Sequence, residues 1–570
     1  MAETLISPGV LARENDQSFV TQQPVTVGAA IIGPTVKGPV EIPTVVTTYS
    51  NYLNKFGNTF LSGGQEYSYF TSIAAYNYFQ QGGQTLLVTR VASGSWAPAS
   101  SSIAAINTSA SFIIKTFSEG TIMNNSASVG TNGILPSGSD DNVRWQITGV
   151  DTGSGQFTLL VRQGDDTATE PIVLETWSNL SLDPTQDNFV AKVIGDSYKT
   201  LVTDGDGVSY IQEVGNYPNS SNYIYVSSVV NPTPFFFDNN GTAKAAFQPY
   251  IPAAASGAFA GALGSLFYAG NAASYYSQSG TNNIQGISAD DYDAAISLMA
   301  NQDDYRFNVI STPGLTLAAN TNQVTTLINA IQSRGDAIAV VDTRPYDDTI
   351  NEAVTSATSV NSSYAATYWP WLQTIDPGTG QLVWVPASTL IPAVYAFNDS
   401  VSEPWFAPAG INRGGLDTVV RAERKLTQSQ RNTLYTGNVN PIATFPGTGV
   451  VVYGQKTLQK KASALDRVNV RRLLIALKSF ISQVANNLVF EQNTIATRNA
   501  FLSQVNPYLE SVQQRQGLYA FRVIMDDSNN TPDVIDRNQL IGQIYLQPTK
   551  TAEFIYLDFN ILPTGATFPA

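Results

Sequence analysis

Between residues 290 and 341 the apolar period switches back and forth in a way that few folds accommodate. Residues 290–300 read as a helix, 307–310 as a strand, 321–334 as a helix with Val324, Leu327, Ile328 and Ile331 on one face, and 337–341 as a second strand. A single-striped helix between two short apolar strands is a βαβ unit, whose crossover in a parallel sheet is right-handed. The chain is therefore expected to be built around an α/β core.

At 570 residues there is room for three or four domains of about 150 residues each. Apolar residues make up 43% and supply the cores, whereas only 13% are charged and 11% are aromatic, a balance suited to a surface covered by neighbours. Cys and His are both absent. That removes thiolate nucleophiles, Cys or His zinc sites, Ser-His-Asp triads, disulfides and an imidazole switch, so an enzyme would have to work with carboxylates, Lys, Tyr or a main-chain phosphate cradle; no catalytic, cofactor or metal site is singled out. Residues 1–10 lack a basic segment followed by an apolar run, and no secretory signal is expected. Residues 253–273 are uncharged and about as long as a membrane span. They are rich in Ala and Gly, follow Pro252 and lack flanking cations or a Trp belt, which predicts a covered segment and no membrane insertion.

The remaining chain divides by composition. Residues 1–27 have too few apolar positions to bury a face and read as an N-terminal arm. Residues 28–98 hold the first part of the core, with a helix expected over 66–80 and a strand over 85–91. In residues 99–285, Ser, Thr, Asn and Gly separate short strands such as 157–162 and 171–175, the pattern of an inserted, mainly β outer domain. Residues 286–445 return to the α/β core. Residues 446–549 are expected to form a C-terminal domain of two helices on a small sheet. Its first helix carries the stripe 473, 474, 477, 480, 481, 484 and 488; the second carries Phe501, Leu502, Val505, Tyr508, Leu509 and Val512, with Pro507 expected to kink or divide it. Strands are expected at 519–525, 540–546 and 554–559, the last within a C-terminal arm over 550–570. The fold class is thus α/β and α+β multidomain: a discontinuous core, an inserted mainly β domain and a two-helix-on-sheet C-terminal domain with extended arms at both ends.

Four polar constellations resolve to turns or caps. Residues 526–531 put several oxygens in a row, but Thr531 and Arg537 stand where a calcium loop needs Gly and a bidentate Glu. Residues 204–207 read the same way. Asp342 ends a core strand without a phosphate loop beside it and reads as a cap; Gly447 and Gly449 lack the third glycine of a dinucleotide fingerprint. Charge is more informative. Residues 421–478 contain eleven Lys or Arg and two acids, a balance of +9 in a chain of net −14. So polarised a chain suits charge-guided self-assembly or an acidic protein partner better than nucleic acid.

Several segments, read in order, resemble the sheath proteins of contractile phage tails. They are SPGVLARE at 7–14, AAIIGPTVKGPVEIP at 29–43 followed by Phe56-Gly57, GGQTLLVTRV at 82–91, YWPWLQ at 368–373, and WVPAS with AVYAFND within 384–399. Further on come PGTGVVVYGQKTL at 446–458, VNVRRLLIALKSFI at 468–481, DDSNNTP at 526–532 and EFI at 553–555. The resemblance covers about 1–95 and 285–570 and leaves 100–280 unmatched. The family's proline pair near WVP is here Pro386-Ala387, and its Cys before DDSNNTP is Met525.

This resemblance implies a virion tail subunit without catalysis, made and assembled in the host cytoplasm. It implies a homo-oligomer stacking as hexameric rings around an inner tail tube protein and meeting baseplate and tail terminator proteins. Contraction would then drive the tube through the host envelope. Terminal arms would add strands to adjacent subunits, which assigns inter-subunit contacts to Ser7, Pro8, Gly9, Val10, Phe19 and Val20 and to Phe554, Ile555, Leu557 and Phe559. Arg471, Arg472 and Lys478 are expected to face the tube or a neighbour. The sheath of a contractile bacteriocin or injection system is an alternative within the same implication. A carboxylate-dependent envelope-degrading enzyme is an alternative of another class, suggested only by scattered Asp, Glu and Trp.

Overall fold

The computed structural model describes residues 25–26, 28–62, 64–126, 129–205, 209–265 and 285–555. An eight-stranded sheet organises them. In chain order its strands are β1 (Ala29–Gly33), β2 (Thr44–Val46), β3 (Leu86–Arg90), β4 (Val309–Thr316), β5 (Ile338–Asp342), β6 (Ala365–Trp369), β7 (Asn440–Phe445) and β8 (Gly449–Val452). In space they run β8-β7-β6-β5-β4-β1-β3-β2, with the six central strands parallel and an antiparallel strand at each edge. The βαβ unit is β4, helix Thr321–Arg334 and β5, as the period of the sequence requires. The helix ends at Gly335, whose φ of +73° is the left-handed cap that glycine adopts without a Cβ penalty.

Successive residues of each central strand point to opposite faces, and both faces are covered. Ala30, Ile32, Ile310 and Val341 pack with Val324, Leu327 and Ile331 of the crossover helix. Ala29, Ile31, Val309 and Val340 pack on the other side with Phe70 and Ile73 of helix Phe70–Gln80 and Val394 of helix Ile391–Val401. Burial on both sides is why these strands read as continuous apolar runs. Helix Phe70–Gln80 starts four residues later than its apolar content predicts, because Gln65–Tyr67 pairs with Phe60–Ser62 as a hairpin.

Strands within residues 98–258 form a three- and a four-stranded antiparallel sheet that share a separate core of Phe112, Trp145, Phe157 and Leu159, and a two-stranded hairpin of Tyr198–Thr203 and Ser209–Val214. Arg90 ties this unit to the central sheet. Its buried guanidinium donates to the carbonyls of Gly38 (2.5 Å) and Glu119 (3.0 Å) and stacks over Trp96, while the Glu119 carboxylate accepts the Val40 N–H at 3.0 Å.

At the C-terminal end, α1 (Val468–Asn486) and α2 (Ile495–Gln514) cover a two-stranded sheet of β9 (Leu518–Ile524) and β10 (Gln543–Pro548). Leu473, Leu477, Phe501, Val505, Leu509 and Val512 form their shared core, with Phe480 stacked on Tyr508 at 3.9 Å. Of the two outcomes expected at Pro507, a kink or a division, the division does not occur: α2 runs on through it. Pro507 lies on the exposed face, as does Ser503, whose carbonyl loses its N–H partner to the proline, and the buried face of 501, 505, 509 and 512 holds the helix through. Tyr519 also departs from the expected alternation: it is 64% exposed, and Leu518 takes the covered place. Among the described residues no helix is long and apolar enough to cross a membrane.

Candidate functional site

Two features are candidate sites of interaction: the C-terminal sheet and the basic block beside it. Neither β9 nor β10 has a partner strand on its outer edge among the described residues, so rows of main-chain donors and acceptors are open to a further strand. The DDSNNTP motif builds the first turn of the connection that joins them, ahead of the short helix Pro532–Asp536. Asp526 Oδ1 accepts the Ser528 N–H at 2.9 Å, and Asn530 imitates a strand residue, donating to the Ile541 carbonyl and accepting its N–H, both at 2.9 Å. The oxygens are thus engaged in holding a turn. Among the described residues no group of three or more acidic side chains could hold a metal ion.

The expected arm residues Ser7, Pro8, Gly9, Val10, Phe19, Val20, Leu557 and Phe559 lie outside the described residues. Phe554 and Ile555 are described, are 68% and 76% exposed, and belong to no strand. At the other end Val25–Thr26 pairs in parallel with Tyr305–Arg306.

The basic block is divided by what its cations touch. Arg471 and Arg472, expected to face a partner, are instead 3% exposed. Arg471 donates to the Ser363 carbonyl and hydroxyl and stacks 3.9 Å over Tyr364; Arg472 pairs with Asp399 at 2.5 Å and stacks over Tyr395. The reason is that α1 is buried on two sides. Its Leu473 and Leu477 meet α2, while Val468 and Ile475 pack into the central core, so the cations between them are enclosed. Lys478 is exposed and donates to the Tyr364 hydroxyl at 3.1 Å, on the wall of a cavity of about 560 Å³ that Arg306 and Asp336 also line. Lys425, Lys460 and Lys461 are exposed and make no side-chain hydrogen bond or ion pair among the described residues. Composition marked these lysines as part of the block, but only the packing separates them from their buried neighbours.

Arg467 is occupied differently, and its partner was not foreseen from sequence. Its fork grips Glu553, with Nε to Oε1 at 2.7 Å and Nη2 to Oε2 at 3.0 Å, and Tyr435 and Gln455 donate to the same carboxylate at 2.7 and 3.0 Å. Burial acts to raise the Glu553 carboxyl, but the hydrogen bonds from Arg467, Tyr435 and Gln455 outweigh it and hold it below the ordinary range.

Asp342 clamps a turn. Its carboxylate accepts the Ser388 N–H at 3.0 Å and the Ser388 hydroxyl at 2.5 Å, which fastens the 387–389 turn to the end of β5. Burial pushes its carboxyl up to about 6 against those two bonds. Gly447 and Gly449, with φ of +80° and +82°, form the tight β7–β8 turn.

Residues 285–458 match the family model described as the phage tail sheath protein central domain, and residues 460–562 match that of the phage tail sheath C-terminal domain. In these two domains the chain is similar to the sheath proteins of contractile phage tails. It is 40% identical over 222 residues, 39% of its length, to the tail sheath protein of Vibrio phage KVP40, and 34% identical over 241 residues, 41% of its length, to that of Enterobacteria phage T4. These matches span about a third of the relatives' own lengths, 33% and 37%. The crystal structure of a sheath tail protein from Listeria innocua superposes with a TM-score of 0.52 over 92% of this chain and 96% of the other, at 10% identity, which establishes likeness of fold alone. The two matched sheath domains hold five of the eight strands of the central sheet, β4 to β8, with the basic block and the β9–β10 edges.

Proposed function

We propose that this chain is a structural, non-catalytic subunit that polymerises as stacked hexameric rings around an inner tail tube. The sheath then contracts, driving the tube through the host envelope. The central and C-terminal sheath domains, matched in tandem over 285–562, carry the reading. The open edges of β9 and β10 support the way in which neighbours would be joined. Each strand-addition hydrogen bond contributes about 1 kcal/mol net, so several together hold a link while the rigid bodies on either side reorient.

In this reading residues 1–27 and 550–570 are arms, 28–98 and 286–445 the core, 99–285 the outer inserted domain, and 446–549 the C-terminal domain. The subunit meets copies of itself, the tube, baseplate and terminator proteins, and belongs to the virion tail after assembly in the host cytoplasm. Negative-stain microscopy of the purified full chain tests it: long striated tubes are expected, and featureless particles under all assembly conditions would count against it. A chain lacking residues 1–20 is expected to stay a folded, soluble monomer. Normal tubes from that deletion would remove the N-terminal arm from the mechanism.

A further inference from the structure

We propose that Glu553 is a positioning residue: it fastens the root of the C-terminal arm to the segments that flank the β7–β8 edge of the central sheet in its own subunit and so sets where the arm departs toward a second copy of the chain. The inference rests on the sheath reading above. The chain leaves β10 at Pro548, and Thr549 is still tied to the small sheet, its N–H donating to Gly517 O at 3.2 Å and its hydroxyl to Gln516 O at 2.7 Å. Four residues later it is held by a different body.

The donors to Glu553 come from three separated segments: Tyr435 in helix Gln428–Thr436, Gln455 just after β8, and Arg467 immediately before α1. Each carboxylate oxygen receives two of them, Oε1 from Arg467 and Gln455 and Oε2 from Arg467 and Tyr435. Gln455 also donates to the Thr551 hydroxyl at 2.6 Å, so two alternate residues of the arm root share one support. Arg467 is itself oriented by Asp466 at 3.0 Å. Near-terminal segments fray unless tied down, and four donors on one carboxylate tie this one down firmly. Immediately beyond, Phe554 and Ile555 are exposed.

A root fixed at 553 presents those side chains in one direction, which lowers the ordering cost of docking on a neighbour. A root fixed only at 549 would not. The contact also bridges the C-terminal sheet to the β7–β8 edge of the central sheet, so the arm's exit is defined relative to the larger body.

The test uses the full chain carrying Glu553→Ala, the charge swap Glu553→Arg with Arg467→Glu, and a chain ending at residue 555, each followed by thermal melting and by the concentration needed to form sedimenting tubes. Glu553→Ala is expected to melt close to the parent yet to need about tenfold more protein to form tubes. The swap should recover part of that loss, and the chain ending at 555 should form none. If Glu553→Ala assembles at the parent's concentration while the shortened chain does not, the anchor is overturned and the arm reading stands. If the shortened chain assembles normally, the arm reading falls and the anchor with it. A large drop in melting temperature with no recovery in the swap would make Glu553 a fold residue and overturn its positioning role.

Discussion

Asp342 shows what a single side chain here does and how its behaviour should depend on pH. Its folded-state carboxyl sits near 6 because it is buried, above the value of about 3.9 expected in an unfolded chain. The native state therefore holds this proton more tightly. The associated stability is fully present below about pH 4 and is lost as pH rises through 6, on the order of 2–3 kcal/mol for a shift of this size. Asp342→Asn keeps an acceptor for the Ser388 N–H, offers a donor to its hydroxyl and cannot ionise. Relative to the parent, the variant is expected to gain melting temperature between pH 4 and pH 7; parallel pH profiles would refute the assignment. Sequence placed Asp342 at the end of a core strand and suggested a cap. It could not reveal Ser388, 46 residues away, because that pairing is made by the return of the chain across the sheet.

At the scale of elements, periodicity was informative wherever one face of a helix was covered and misleading where two were. The stripe of α1 predicts its contact with α2, and Leu473, Leu477 and Val484 are buried as expected. Val468 and Ile475 lie off that stripe, and their burial in the central core is what encloses Arg471 and Arg472. A cation flanked by apolar residues on both sides of a helix is the one sequence sign of this, and it is faint. The same two-sided view explains α2, where the solvent face tolerates Pro507. Proline in a helix interior costs about 3 kcal/mol relative to alanine. Part of that is relieved here by hydration of the freed carbonyl, so Pro507→Ala is expected to stabilise the C-terminal domain by about 1–2 kcal/mol. Slower hydrogen exchange across residues 500–512 would register the gain, and unchanged or faster exchange would show that the helix is already relaxed around the proline.

For the whole molecule, the polarity seen in composition survives, but its bearers change. Arg471 and Arg472 hold the subunit together, and Arg467 holds the arm root, whereas Lys425, Lys460, Lys461 and Lys478, together with Arg421, are exposed and can meet an acidic neighbour or tube. These two roles separate experimentally. Arg472→Glu would place a carboxylate beside Asp399 in an enclosed site, and breaking such a buried pair costs about 3–5 kcal/mol, enough to impair folding before assembly is reached. Lys460→Glu with Lys461→Glu changes only exposed groups, for which stability effects stay within about 0.5 kcal/mol each. The double variant should therefore melt like the parent while forming tubes more slowly, with a smaller difference between low and high salt, because screening acts on the charges that steer association and much less on buried pairs. If assembly rate and salt dependence both match the parent, the lysine pair faces solvent in the sheath, and the search moves to Lys425 and Lys478.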